Sequence, residues 1–338
     1  MRKEKKQFCT ECRKETEYEI RKRQCVYSIR GKEYNFDIEV AICKECGEEV
    51  YLPGLMDRNS KLIDEQYRKA EDLVSIDDIK ALMEVYNIGK APVSLALGFG
   101  EITITRYLQG QYPSAEYSEV IHEALSNPDF MLDLLKKNRE KIGETAFKKS
   151  YSAAMSLKEL ISSVSEKMLL TISYIFERAE EVTPLALQKL LYYIQGVYMV
   201  NYGKVLFDED CQAWDYGPVF SKVYNLFSEF KYNPIEDKRF IFFKNKSQKL
   251  SKEEKKVIDM VINSFGMYSG KTLANITHEE SPWKDAHEEK MFGYSNVKIT
   301  KKAIRDYFEK EAKKYDFRTE KGLNDYIKYQ LEKRKSYC

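Results

Sequence analysis

The chain has 338 residues, 43% of them hydrophobic and 33% charged, with a mean hydropathy of −0.57; this is globular composition, with room for two to three domains at ~150 residues each, and it excludes collagen-like and wholly disordered classes. Lys and Arg (56) nearly cancel Asp and Glu (54) to leave +2, so no overall field marks the chain for nucleic acid or a membrane. No apolar run nears the ~20 residues of a membrane span, the basic start Met1–Lys6 leads into Cys9 and more charge, and the seven cysteines are an odd number, so a cytoplasmic protein with no membrane helix, secretory signal, membrane partner or disulfide framework is expected.

Residues 1–70 hold two Cys-x2-Cys pairs around a strand-like stretch. Val26, Ser28, Phe36, Ile38 and Val40 follow a period of two, and Arg30-Gly31-Lys32 stands where a hairpin turn belongs. Met56–Arg68 reads as a helix leading out. Two thiolates two residues apart clamp one side of a tetrahedral ion, and a second pair returned by a hairpin completes the site, with Zn–S near ~2.3 Å. A single pair would equally suit a redox dithiol. Two pairs in one short segment point to structural Zn2+ on Cys9, Cys12, Cys43 and Cys46. Such a closed site leaves no position for water and serves folding, contributing ~10–16 kcal/mol in small fingers. Cys25, Cys211 and Cys338 read as ordinary small residues.

Residues 71–139 break into short helices. Ser75 is placed to cap a helix bearing Ile79, Leu82, Met83 and Tyr86, which Gly89 would end. Pro92 fits the first turn of the next, Gly98 and Gly100 break it, and Ile102–Leu108 follows. Helices around Ser118–Leu125 and Asp129–Lys137 close the zone. The run from Lys90 to Gly110 has helix-turn-helix spacing, with Ser94 at the helix crossing, Gly98 at the turn, and Phe99 and Ile104 as core plugs. Glu101, Thr103, Thr105 and Arg106 are the candidate DNA contacts, Arg106 for a guanine or a phosphate. Against this, residues 73–117 carry three cations and five anions, so phosphate binding would need the lysines and arginine between Lys136 and Lys149. A helical bundle that leaves DNA alone fits the same spacing.

Residues 140–156 are charged and weakly periodic and read as a linker. The zone 157–338 is mostly helical. Thr183-Pro184 starts a helix whose apolar face is Leu187, Leu190, Leu191, Ile194 and Tyr198, with Gly203 as its stop. Ser251 and Glu254 have capping-box spacing, and Ser281-Pro282 and Thr300 mark two more starts. Val205–Asp215 and Arg239–Lys244 look strand-like. The whole is a multidomain chain, mainly α with small β elements: an N-terminal β-rich four-cysteine zinc segment, a helix-turn-helix bundle and a C-terminal α+β domain.

No enzyme site is expected. Gly266 to Thr272 resembles a phosphate-binding loop but has three residues between its glycines where four are needed, and it follows a helix. His287-Glu288 opens like a zinc-protease helix, yet Met291 stands where the second His belongs. With three histidines in all, no nucleophile–base set has a defensible spacing. What remains is Lys189 to Gly196 (KLLYYIQG), Ala213 to Val219 (AWDYGPV) and Thr277 to Trp283 (THEESPW). Taken alone, these read as core packing and a tight turn; exposed, the aromatics would suit a protein interface.

In this order the three segments resemble the Panacea domain, the SocA-like antitoxin module of bacterial and phage toxin–antitoxin pairs, over about residues 160–315. The two Cys-x2-Cys pairs followed by a helix-turn-helix ending in Arg106-Tyr107 and Gly110 are similar to MqsA/YgiT-type antitoxins. There the zinc segment is structural and the helix-turn-helix dimerises on operator DNA through an Asn and an Arg four residues apart. Arg106 matches that Arg, whereas Ile102 occupies the Asn position. The resemblance implies a non-enzymatic antitoxin that neutralises a cognate protein toxin through its C-terminal domain, binds operator DNA to regulate its own expression, and forms a homodimer through its N-terminal region. Lys189, Tyr192, Trp214, Asp215, Tyr216 and Trp283 are the toxin contacts it suggests. Two other readings stay open: a zinc-containing transcription regulator with a C-terminal sensor domain, and an adaptor that delivers the toxin to a protease.

Overall fold

The computed structural model describes residues 6–244, 246–291 and 297–335. It divides into two compact units, Met1–Met83 with Ile88–Lys148, and Glu84–Asn87 with Lys149–Cys338. Cys338 lies outside the described residues.

The first unit opens on an antiparallel sheet of β1 (Lys6–Cys9), β2 (Lys14–Ile29) and β3 (Lys32–Cys43), in that order. The hairpin turns on Arg30 and Gly31, both left-handed with φ of 52° and 78°. Such a two-residue turn matches the twist of the strands it joins, and it sets Ile29 opposite Lys32 and Tyr18 opposite Cys43. Helix α1 (Leu55–Ala70) lies along β3 and seals its outer edge with side-chain amides. Asn59 accepts from the Glu39 N–H at 2.9 Å and donates to the Glu39 carbonyl at 2.8 Å. Gln66 does the same for Asp37, at 2.9 and 2.8 Å. Phe36, Tyr67 and Leu73 pack beneath, with Tyr27, Tyr34 and Tyr112 around them.

Helix α2 (Ile76–Val85) begins as its spacing predicts: the Asp78 N–H donates to the Ser75 hydroxyl at 2.9 Å, and the Ser75 N–H to the Asp78 carboxylate at 3.2 Å. Gly89 does not end it but caps α3 (Lys90–Ala96). Then come α4 (Thr103–Leu108), α5 (Ala115–Ser126) and α6 (Pro128–Lys137). Residues 140–156, expected as a linker, hold the division between the two units after Lys148 and are largely helical, within α7 (Glu144–Ser163). Its buried positions are Phe147, Ser150, Ala154, Leu157 and Leu160. The helical period was masked because two of these inward positions are small and one of the two is polar.

The second unit is built round α9 (Pro184–Tyr202), preceded by α8 (Glu166–Arg178). Thr183 caps α9 through its side chain on Ala186 N–H, and Gly203 ends it at φ 70°. Every residue from Leu187 to Met199 is buried, not only the apolar stripe. Around it stand β4 (Cys211–Trp214), β5 (Gly217–Val219), α10 (Ser221–Phe227), α11 (Lys252–Phe265), α12 (Gly270–Thr277), α13 (Ser281–Met291), β6 (Lys298–Ile299), α14 (Lys301–Ala312) and α15 (Glu320–Lys335). The strands form an antiparallel sheet in the order β5-β4-β6. Ser251 and Glu254 form the expected capping box on α11. The strand expected over 239–244 is a 3-10 turn (Lys238–Phe243) begun by the Asp237 carboxylate on Arg239 N–H. Its aromatic run fills a ring cluster, with Phe240 5.0 Å from Phe176 and 5.6 Å from Phe227. Among the described residues no helix is long and apolar enough to cross a membrane.

Candidate functional site

The sequence-predicted cysteines converge. The Sγ atoms of Cys9, Cys12, Cys43 and Cys46 all lie within 4.8 Å of one another. Cys9 and Cys46 sulfurs are 3.5 Å apart, Cys12 and Cys43 sulfurs 3.9 Å. Tetrahedral bonds of ~2.3 Å would set sulfurs ~3.8 Å apart, so the cluster fits one thiophilic ion. The β2–β3 hairpin brings this about, because its register returns Cys43 beside the β1–β2 turn that carries Cys9 and Cys12. Cys43 is fully buried, and its thiol is drawn down to about 6 by the Thr16 hydroxyl, 3.2 Å from its sulfur, helped by main-chain N–H groups such as that of Glu45. A buried sulfur whose thiolate form is favoured by such donors has the chemistry of a metal ligand.

In the second unit, polar side chains of α9 stitch down the segment that follows. Gln195 accepts from the N–H groups of Leu206 and Phe207 at 3.0 and 3.3 Å and donates to the Phe207 carbonyl at 2.9 Å. Gln188 accepts from Phe220 N–H at 2.8 Å. Lys189 Nζ donates to the Pro218 carbonyl at 2.8 Å; burial draws its pKa down to about 7. Gly217 has φ 94°, and a Cβ there would come 2.5 Å from Thr277 Oγ1 and 2.9 Å from Lys189 Nζ. Only glycine meets both demands.

The β4–β5 hairpin is thereby pinned, and its tip projects. Tyr216 is 71% exposed and Asp215 is exposed. Trp214 is half-buried, its ring edge-on to Tyr224 at 5.0 Å. From α13, Trp283 Nε1 donates to the Trp214 carbonyl at 2.8 Å. The Trp283 ring is stacked between His278 (4.1 Å) and His287 (4.3 Å), and His287 Nε2 lies 3.6 Å from Asp215 Oδ1. Behind this, Glu280 is wholly buried: Tyr193 and Tyr326 hydroxyls donate to its Oε1 at 2.8 and 2.6 Å, and Tyr307 to Tyr326 at 2.9 Å. Burial raises the Glu280 carboxyl to about 7.

Residues 187–284 match the family model described as "Antitoxin SocA-like, Panacea domain". Over 47 residues, 14% of this chain, it is 45% identical to Antitoxin SocA of Caulobacter vibrioides (strain NA1000 / CB15N). That alignment spans 25% of the curated relative's length. No solved structure matches.

Within the segment that matches the Panacea model, the six suggested contact residues divide. Trp214, Asp215, Tyr216 and Trp283 come together at the hairpin tip and α13. Lys189 and Tyr192 do not join them: both are fully buried in α9. The sequence reading missed Glu280, although it sits inside the quoted motif, because nothing in a Glu-Glu pair says which carboxylate turns inward. It also read His287 only as a failed protease motif, whereas its place is beside Asp215.

In the first unit, α3 and α4 meet at Ser94, whose hydroxyl accepts from Ile104 N–H at 3.0 Å while its carbonyl accepts from Phe99 N–H at 2.8 Å. Gly98, at φ 81°, makes the bend between them. Glu101 and Arg106 are exposed, and Thr103 and Thr105 are half-buried.

Proposed function

We propose that this chain is the antitoxin of a toxin–antitoxin pair, acting without catalysis by covering a protein toxin with its C-terminal unit. The observation that carries it is the exposed Asp215-Tyr216 tip on a hairpin fixed from both α9 and α13, within the segment that matches the Panacea model. A rigid, half-wet aromatic cluster beside a carboxylate offers large contact area at small entropy loss. Trp214, Asp215, Tyr216 and Trp283 are the contact residues in this reading. Lys189 and Tyr192 act on the toxin only through the hairpin and core they hold.

The cysteine cluster in this reading holds structural Zn2+, which ties the two turns of the first unit together. The α3–α4 pair is a helix-turn-helix that reads operator DNA through Glu101, Thr103, Thr105 and Arg106; the Ser94–Ile104 bond, which fixes the helix crossing, supports it. The test is co-expression with the neighbouring gene product. Growth arrest relieved by the native chain, with co-purification lost on Tyr216→Ala plus Asp215→Arg, is the expected result. A neighbour that stays toxic and does not associate overturns the reading, and strong operator binding in the absence of any toxin partner would favour a transcription regulator.

A further inference from the structure

Among the described residues, the N-terminal sheet is closed on one side and open on the other. Along β3, the Asn59 and Gln66 amides occupy the outward main-chain groups. Along β2, β1 covers only Lys14 to Glu17. Lys44 N–H donates to the Glu17 carbonyl at 3.0 Å, so alternate residues from Glu17 onward bond toward β3. Tyr18, Ile20, Lys22, Gln24, Val26 and Ser28 then turn their N–H and C=O groups the other way. Among the described residues, no strand or side chain bonds to them. An exposed edge of this length is a template for another strand, and Val26 is 63% and Ile20 40% exposed along it.

We infer that this edge pairs with β2 of a second copy, antiparallel about a two-fold axis at Gln24, joining two sheets into one. The edge can pair with itself along its whole length, and charge selects the register. An axis at Arg21, Lys22 or Arg23 would set like charges face to face, which opposes pairing. With the axis at Gln24, Arg23 stands beside Cys25 of the second copy, Lys22 beside Val26, Arg21 beside Tyr27, Ile20 beside Ser28 and Glu19 beside Ile29. No like charges stand directly opposite one another, residues 19 to 29 are all paired, and Arg21 reaches a Tyr ring. Arg21 and Arg23 are already neutralised within their own chain by Glu19 and Glu49. The surface is isologous, as a two-fold dimer requires.

Two variants of the full chain test this. Gln24→Pro removes an N–H that faces away from β3, a position where an edge strand tolerates proline. Sedimentation velocity should give twice 39.8 kDa for the native chain and the single mass for the variant, with unchanged circular dichroism. Arg23→Cys places a thiol across a non-hydrogen-bonded pair from Cys25 of the second copy, where Cα atoms lie ~4.5 Å apart. Mild oxidation should then give a covalent dimer whose linked peptides map to positions 23 and 25. A monomeric native chain overturns the inference, as does a dimer that survives Gln24→Pro without the 23–25 link. Loss of toxin binding in Gln24→Pro with the mass unaltered would assign the edge to the toxin and overturn it equally. The sedimentation and cross-linking outcomes do not depend on the toxin being found.

Discussion

The Trp283 indole nitrogen donates to the Trp214 carbonyl at 2.8 Å while its ring is held between His278 and His287. The hairpin bearing Asp215 and Tyr216 is therefore anchored at its tip as well as at its base, where Lys189 meets Pro218. Trp283→Phe keeps a ring in the stack and removes the bond, a net loss of ~1 kcal/mol. On the proposed function, the expected outcome is a small fall in melting temperature with a clear loss of affinity for the toxin by calorimetry. Unchanged affinity would mean that the tip needs no second anchor.

Gly217→Ala should be a strongly damaging single-methyl change in this unit. The added Cβ meets Thr277 Oγ1 at 2.5 Å and the Lys189 ammonium at 2.9 Å, and φ stays at 94°. A left-handed non-glycine residue alone costs ~1–3 kcal/mol, and the clash adds to it. Both tryptophans of the chain, Trp214 and Trp283, lie in this unit, so urea unfolding followed by their fluorescence reads it selectively. A loss below ~1 kcal/mol would mean that the hairpin is not pinned as described.

Glu280 makes stability depend on pH in an unusual direction. Burial raises its carboxyl from 4.5 to about 7. The unfolded chain releases this proton near 4.5 and the native chain holds it to about 7, so between those values the native state binds more protons. Its contribution is therefore fully present below pH 4.5 and is lost as pH rises through 7. Carboxylates with lowered values, such as Glu166 and Asp210, act oppositely, so the comparison must be with a variant. Glu280→Gln still accepts from Tyr193 and Tyr326. Relative to the native chain it should gain roughly 3 kcal/mol between pH 4.5 and 7.5. A flat difference across that window would show that Glu280 titrates normally.

Local signals were the legible ones. Thr183, Ser251 and Thr300 announce their helices because a cap is a bond between neighbours, and Arg30-Gly31 announces its turn for the same reason. The Cys-x2-Cys pairs fix their own cluster once a hairpin joins them. What failed depends on distant packing. Ser150 and Ala154 are buried on α7 yet give no apolar period, so the helix looked like a linker. Phe240, Phe242 and Phe243 have strand composition but are claimed by neighbouring rings. Lys189 is suggested as a contact by resemblance alone, and no sequence rule buries a lysine; the Pro218 carbonyl, brought round by a left-handed Gly217, makes that burial tolerable.

The cysteine cluster yields the last prediction. Cys9 and Cys43 are buried in a small core with Ala41, Val50 and Leu55, too little apolar area to hold the turns of β1–β2 and Cys43–Cys46 together unaided. In zinc-finger peptides a four-ligand site contributes ~10–16 kcal/mol, so the metal decides whether such turns form. Cys43→Ser removes the buried sulfur that Thr16 and the Glu45 N–H support, and should abolish stoichiometric zinc by elemental analysis. The first unit should then become protease-sensitive between Lys6 and Glu49, whereas tryptophan fluorescence, which reports only the second unit, should stay native. Full zinc content in the variant, or a native proteolysis pattern after chelation, would show that the sulfurs gather without a metal role.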